Sequence, residues 1–153
     1  MPTVKPRRWI LPPVVLLAAV VLSVALDHWM PLVQLWGRPW NWVGGGVIIA
    51  MLTLNTCCAL EFRRRGTTVV PFRESSALIT DGLYRSSRNP IYLSMVVLLC
   101  GLAVALGSLS PWLVPPLFMV IIARRFIRHE EAMLTETFGD EYRQYCRRVR
   151  RWL

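Results

Sequence analysis

Three long uncharged stretches organise the chain. Trp9 to Leu26 runs 18 residues without a charge, Trp40 to Leu60 runs 21, and Asn89 to Ala123 runs 35. As a single helix the last would reach about 50 Å, against a hydrocarbon core of about 30 Å. Its middle holds the turn signal GSLSP, Gly107 to Pro111. The stretch therefore reads as a helical hairpin. The pattern predicts an all-α, polytopic membrane protein of one domain with about four transmembrane helices, near residues 9–28, 40–60, 90–106 and 111–127. Residues 61–90 form a long loop, and 128–153 form a helical tail.

Local signals refine this frame. Pro12 and Pro13 sit where a first helical turn tolerates proline. Tryptophans at 29, 36, 40 and 42 read as an interfacial aromatic belt. Gly44 to Gly46 read as a close helix contact, because small residues let helices approach in lipid. The tail continues the last span as a helix until FGDEY, residues 138–142, breaks it. A short amphipathic helix follows, with its arginines toward lipid headgroups.

Composition supports a membrane setting. Hydrophobic residues make up 54%, charged residues only 18%, and mean hydropathy is +0.42. A soluble bundle with long buried helices is the alternative, and tandem apolar runs of this length disfavour it. Of the 18 basic residues, only Arg38 lies between the first two spans, and none lies in the hairpin turn. The positive-inside rule then puts both termini and the central loop in the cytoplasm. The net charge of +9 points to anionic headgroups rather than nucleic acid, for which no recognition motif is present. Cys57, Cys58, Cys100 and Cys146 lack ligand spacing and read as buried, small apolar residues. His28 and His129 stand apart, so no metal is expected.

Chemistry concentrates in two polar blocks. One is the loop leading into GLYRSSRNPIY, residues 82–92. The other is RHEEAML, residues 128–134. Loops near thirty residues in a compact protein are functional or disordered, and apolar anchors such as Leu78, Ile79 and Leu83 argue for order. Paired carboxylates at a membrane boundary need solvent or a cationic partner.

The blocks GTTVVP…ALITDGLYRSSRNPIYLS and RHEEAMLTETFGDEYRQY together resemble the isoprenylcysteine carboxyl methyltransferase family and the related phospholipid N-methyltransferases. The resemblance covers roughly residues 61–150. It implies an S-adenosyl-L-methionine cofactor in a cytoplasmic pocket and a lipid-like or prenylated acceptor. By motif it implies cofactor contacts at Ser76, Ala77, Leu78, Ile79, Tyr84, Asn89, Pro90, Ile91, Tyr92, Glu130 and Glu131. Arg125 and Arg128 are the candidates for positioning the acceptor. Pro90 would start the third span, with Asn89 extended before it and free helix N–H groups facing the cofactor carboxylate. Tyr84 or Tyr92 would offer a ring to the sulfonium. Many relatives carry histidine where Asn89 stands, and asparagine cannot act as a base near neutral pH.

A carboxylate acceptor is already ionised and needs no base, which favours carboxyl O-methylation. An amine acceptor must first lose a proton. A lipid tail would enter between helices near Gly44–Gly46 and Gly101. A membrane reductase using NADPH and a non-enzymatic assembly protein are the remaining alternatives; the paired glutamates argue against both.

Overall fold

The computed structural model describes residues 11–64 and 78–153, with the side chains of 61–64 excepted. The described residues form five α-helices: α1 (Pro12–Trp29), α2 (Asn41–Arg64), α3 (Pro90–Leu106), α4 (Val114–Ile122) and α5 (Arg128–Arg148). Single 3-10 turns occupy Gly82–Arg85 and Ser110–Leu113, and a π turn at Ala123–Ile127 joins α4 to α5. Among the described residues the only β pairing is an isolated bridge between Gln34 and Ser108. The fold is all-helical, as expected.

Proline and glycine punctuate it. α1 and α3 both start with proline in the first turn, where its missing N–H is no loss. α3 stops at Gly107, whose φ of 87° is a left-handed conformation suited to glycine. Gly139 interrupts α5 with φ 51°, so FGDEY does break the tail helix.

Pro12–Trp29, Asn41–Leu60 and the composite helix from Ser110 are each long and apolar enough to cross a membrane. Pro90–Leu106 is a shorter apolar helix of 17 residues. It is the central one: Leu99 and Ala103 are fully buried, and Leu99 packs in one cluster with Val114, Phe118, Ile122 and Ile127 of the following segments. α1 and α2 present Leu17, Val21, Ile49 and Leu52 outward, as helices do when lipid is their neighbour.

α2 and α3 meet backbone to backbone. A Cβ at Gly44 would run into Ala105 N and Gly101 O. Gly45 and Gly46 have open space instead. This corrects the expectation of a gap for a lipid tail at Gly44 and Gly101, since the partner helix fills it. Further along the pair, Ser94 Oγ donates to Asn55 Oδ1 at 2.8 Å.

The segment between α1 and α2 closes the far end of the bundle. Leu35 and Trp36 N–H groups reach the Gly107 carbonyl, and Leu109 N–H reaches Val33 O. Trp36 Nε1 donates to Val104 O at 2.8 Å, and Asn41 Nδ2 to Ala105 O at 2.7 Å. Ser108 Oγ donates to Asp27 Oδ1 at 2.5 Å. The last carbonyls of α3 are thus paired inside an apolar setting, which backbone there requires. Trp29, Trp40 and Trp42 are exposed like belt residues, but Trp36 is a cap.

Candidate functional site

At the opposite end, three elements converge: the turn Gly82–Arg85 with Ser86–Asn89, the first turn of α3, and the first turns of α5. Glu130 and Glu131 lie in the first turn of α5. Successive helical residues are rotated by about 100°, so adjacent carboxylates look different ways. Their surroundings differ accordingly.

Glu130 meets α3. Tyr92 donates its phenol to Glu130 Oε1 at 2.6 Å. Among the described residues Glu130 makes no ion pair. Burial pushes its carboxyl up to about 6; the Tyr92 hydrogen bond opposes this, and the neighbouring Glu131 charge adds to it. Tyr84 is held well above its usual range, mainly by burial, and Glu130 contributes.

Glu131 meets two arginines. Arg151 grips it with a two-pronged contact, Nη2 to Oε2 at 2.6 Å and Nε to Oε1 at 3.0 Å. Arg88 Nη1 lies 3.3 Å from Oε1. A planar guanidinium matches a carboxylate in this way and lysine does not. The Glu131 hydrogen bond raises Arg151 further.

The segment after α5 runs extended from Val149 and lies along Ser87–Asn89. Arg88 N–H donates to Arg150 O at 3.0 Å, and Asn89 Nδ2 to Arg151 O at 3.1 Å. Ser87 Oγ reaches the same carbonyl at 3.4 Å. Trp152 packs against the main core. Below this strap, Tyr145 Oη donates to Tyr84 O at 2.7 Å. Tyr142, Tyr145 and Val149 pack with Leu78, Tyr84, Leu134, Phe138 and Cys146. Burial raises Tyr145 to about 12.

The expected site residues divide. Tyr84, Asn89, Pro90, Tyr92, Glu130 and Glu131 come together at this end of the bundle. Asn89 is not extended (φ −133°, ψ 57°), and its N–H is taken by Ser87 Oγ rather than left open. Leu78 packs under Tyr84, Ile79 is half-buried beside it in sequence, and Ile91 joins the main core. Ser76 and Ala77 lie outside the described residues. Arg125 and Arg128 are exposed on and just after the π turn, while Phe126 and Ile127 between them are buried.

Two expectations need correcting. Arg151 does not face headgroups from a helix; it follows the helix and turns inward to Glu131. The cysteines are free, but Cys57 is exposed, and Cys146 Sγ receives a hydrogen bond from Arg88 Nη1 at 2.7 Å. The sequence reading missed Ser87, Tyr145 and Arg151 as parts of the site. The Tyr145-Cys146-Arg147-Arg148 and Arg150-Arg151-Trp152 runs that hold two of them look like generic basic tail.

Among the described residues no group of three or more His, Cys, Asp or Glu side chains is gathered for a metal. Among the described residues the arrangement offers instead a carboxylate without an ion pair, two aromatic rings and a buried Arg88 Nε without a hydrogen-bond partner. That set suits a ligand carrying positive charge and hydrogen-bonding groups.

Comparison with known proteins agrees in kind. The family model described as phospholipid methyltransferase matches residues 40–141, more than half of the chain. An uncharacterised protein from Haemophilus influenzae is 41% identical over 63 residues, covering 41% of this chain and all of that protein. The Schizosaccharomyces pombe protein-S-isoprenylcysteine O-methyltransferase is 36% identical over 75 residues, covering 47% of this chain and only 30% of that enzyme. No solved structure matches.

Proposed function

The chain belongs to the phospholipid methyltransferase family, and from that premise we propose that it is an S-adenosyl-L-methionine-dependent enzyme that methylates a lipid-like or prenylcysteine-like acceptor at a carboxylate. The observation that carries the reading is Glu130: a half-buried carboxylate, hydrogen-bonded by Tyr92, without a cation among the described residues. In this reading the whole molecule has four spans, with both termini and the site on the cytoplasmic side, as the distribution of basic residues indicates.

Bound cofactor supplies an electrophilic methyl group on a positively charged sulfur. The chain's residues hold and orient it. Glu130 accepts hydrogen bonds from its ammonium or hydroxyl groups. Tyr84 and Tyr92 present aromatic faces to positive charge. Arg88 Nε, without a hydrogen-bond partner among the described residues, donates to an acidic group of the ligand. Leu78, Ile79 and Ile91 exclude water, and Arg125 and Arg128 meet the acceptor's headgroup at the membrane boundary. For a carboxylate acceptor no proton moves, so catalysis rests on alignment and dehydration.

A second reading, amine N-methylation, has an observation of its own. A carboxylate raised to about 6 is better matched than an ordinary glutamate to taking a proton from an ammonium group. The family's description as phospholipid methyltransferase fits this acceptor as well. The deciding experiment supplies detergent-purified protein with labelled cofactor and either phosphatidylethanolamine vesicles or a prenylcysteine. Label on the prenylcysteine alone supports the first reading, and label on the amine lipid alone supports the second. A thermal shift with NADPH and none with S-adenosylmethionine would overturn both.

A further inference from the structure

The strap over residues Ser87–Asn89 has a use beyond holding the chain together. We infer that Arg151 is a positioning residue of the ligand site: it neutralises Glu131, fixes the Ser87–Asn89 backbone, and so leaves Glu130 as the one available carboxylate of the pair. The inference rests on the cofactor reading above and deepens it.

The geometry carries the argument. Arg151 acts in two directions at once. Its guanidinium holds both oxygens of Glu131. Its carbonyl receives the Asn89 amide and the Ser87 hydroxyl. The residue before it accepts the Arg88 N–H, and Arg88 itself returns to Glu131. Asn89 precedes the first turn of α3, and Tyr92 in that turn holds Glu130. One residue, through its guanidinium and its carbonyl, therefore ties the entry to α3 to the start of α5, the two elements that carry the cofactor contacts. Side-chain partners on both faces also make the pair costly to break from one side only.

The charges matter as much as the tether. Glu130 faces Tyr92 from α3, Tyr84 from the loop and Glu131 from its own helix. Glu131 faces Arg88 from the loop, Arg151 from the strap and Tyr142 from α5. With Arg151 in place, Glu131 contributes little net negative charge. Without it, two carboxylates share one helical turn with a single arginine, which disfavours ionisation of Glu130.

The test measures S-adenosylhomocysteine binding by calorimetry between pH 5 and 8 on the full chain in detergent. Arg151→Gln should weaken binding about tenfold at pH 7 and move the midpoint of its pH dependence up by about half a unit or more. Adding Glu131→Gln to that variant should return the midpoint toward the wild-type value, which simple loss of a structural tether would not do. Arg151→Lys keeps the charge and loses the fork, so it should hold the wild-type midpoint with weaker binding. If Arg151→Gln does not fold, the lysine variant carries the test, and wild-type affinity in it overturns the inference. Wild-type affinity and midpoint in Arg151→Gln would do the same. Absence of binding to the wild-type protein would instead remove the cofactor reading on which the inference stands.

Discussion

Tyr92 on α3 donates its phenolic hydrogen to Glu130 on α5 at 2.6 Å, joining two helices 38 residues apart in sequence. One residue further on, Glu131 is committed to arginines. Two identical neighbours thus hold different chemical positions: one is neutralised by arginines, and the other is hydrogen-bonded by a tyrosine and has no ion pair among the described residues.

Glu130→Gln should weaken S-adenosylmethionine binding by roughly ten- to a hundredfold, since a charge-assisted hydrogen bond in a partly dehydrated site contributes about 1.5–3 kcal/mol. Arg147→Gln, an exposed change on α5, should alter it less than about threefold. Calorimetry on both variants checks this. Equal affinities for the Glu130 variant and wild type would mean the glutamate is misassigned.

The raised Glu130 carboxyl gives a pH signature. The folded protein holds this proton up to about pH 6, and the unfolded chain releases it near 4.5. This contribution to stability is complete below the lower value and is lost as pH rises through the higher one. It amounts to about 2 kcal/mol. Binding of a cationic ligand should show the opposite trend, strengthening as pH rises through the same window. Thermal melts and titrations from pH 4.5 to 7.5, repeated on Glu130→Gln, should lose both trends together.

Gly44→Leu should destabilise the protein by at least about 1–3 kcal/mol, because the added carbons meet the α3 backbone. Gly46→Ala meets open space and should be close to neutral. Melting temperatures in one detergent, measured side by side, decide it. A similar loss in both variants would show that helix propensity rather than contact governs this stretch.

Single cysteines introduced at Thr3 and Leu153, in a background lacking the native four, should both react with a membrane-impermeant reagent only from the cytoplasmic face. Labelling from opposite faces would refute the four-span arrangement.

Much of this architecture was legible because its signals are local. Proline at 12 and 90, glycine at 107 and 139, and uninterrupted apolar runs each act within a few residues. The polar end was legible only in outline. Tyr92 and Glu130 stood in recognisable blocks, yet nothing in the dipeptide Glu130–Glu131 tells the two apart. Their roles are set by partners 38 and 20 residues away. Arg151 was hidden because a basic run after an apolar span already has an explanation in membrane topology. Trp36 was hidden likewise, since an interfacial tryptophan and a helix-capping tryptophan look the same in sequence. The π turn carries no composition signal; within it Phe126 and Ile127 are both buried.

The brevity of α3 has a mechanical consequence. Seventeen helical residues span about 25 Å, short of the roughly 30 Å hydrocarbon thickness. Its end can stop early because Trp36 and Asn41 take up the carbonyls of Val104 and Ala105. Enclosed by its neighbours, α3 sets the distance between the polar end of the bundle and the closing segment, so a bilayer around the bundle thins or the molecule tilts to match. Membrane thickness then becomes a variable that acts on the protein: vesicles of short-chain lipids should fit it with less strain than long-chain ones, and its polar end, with Tyr92 and Glu130, should sit deeper in the thicker membrane.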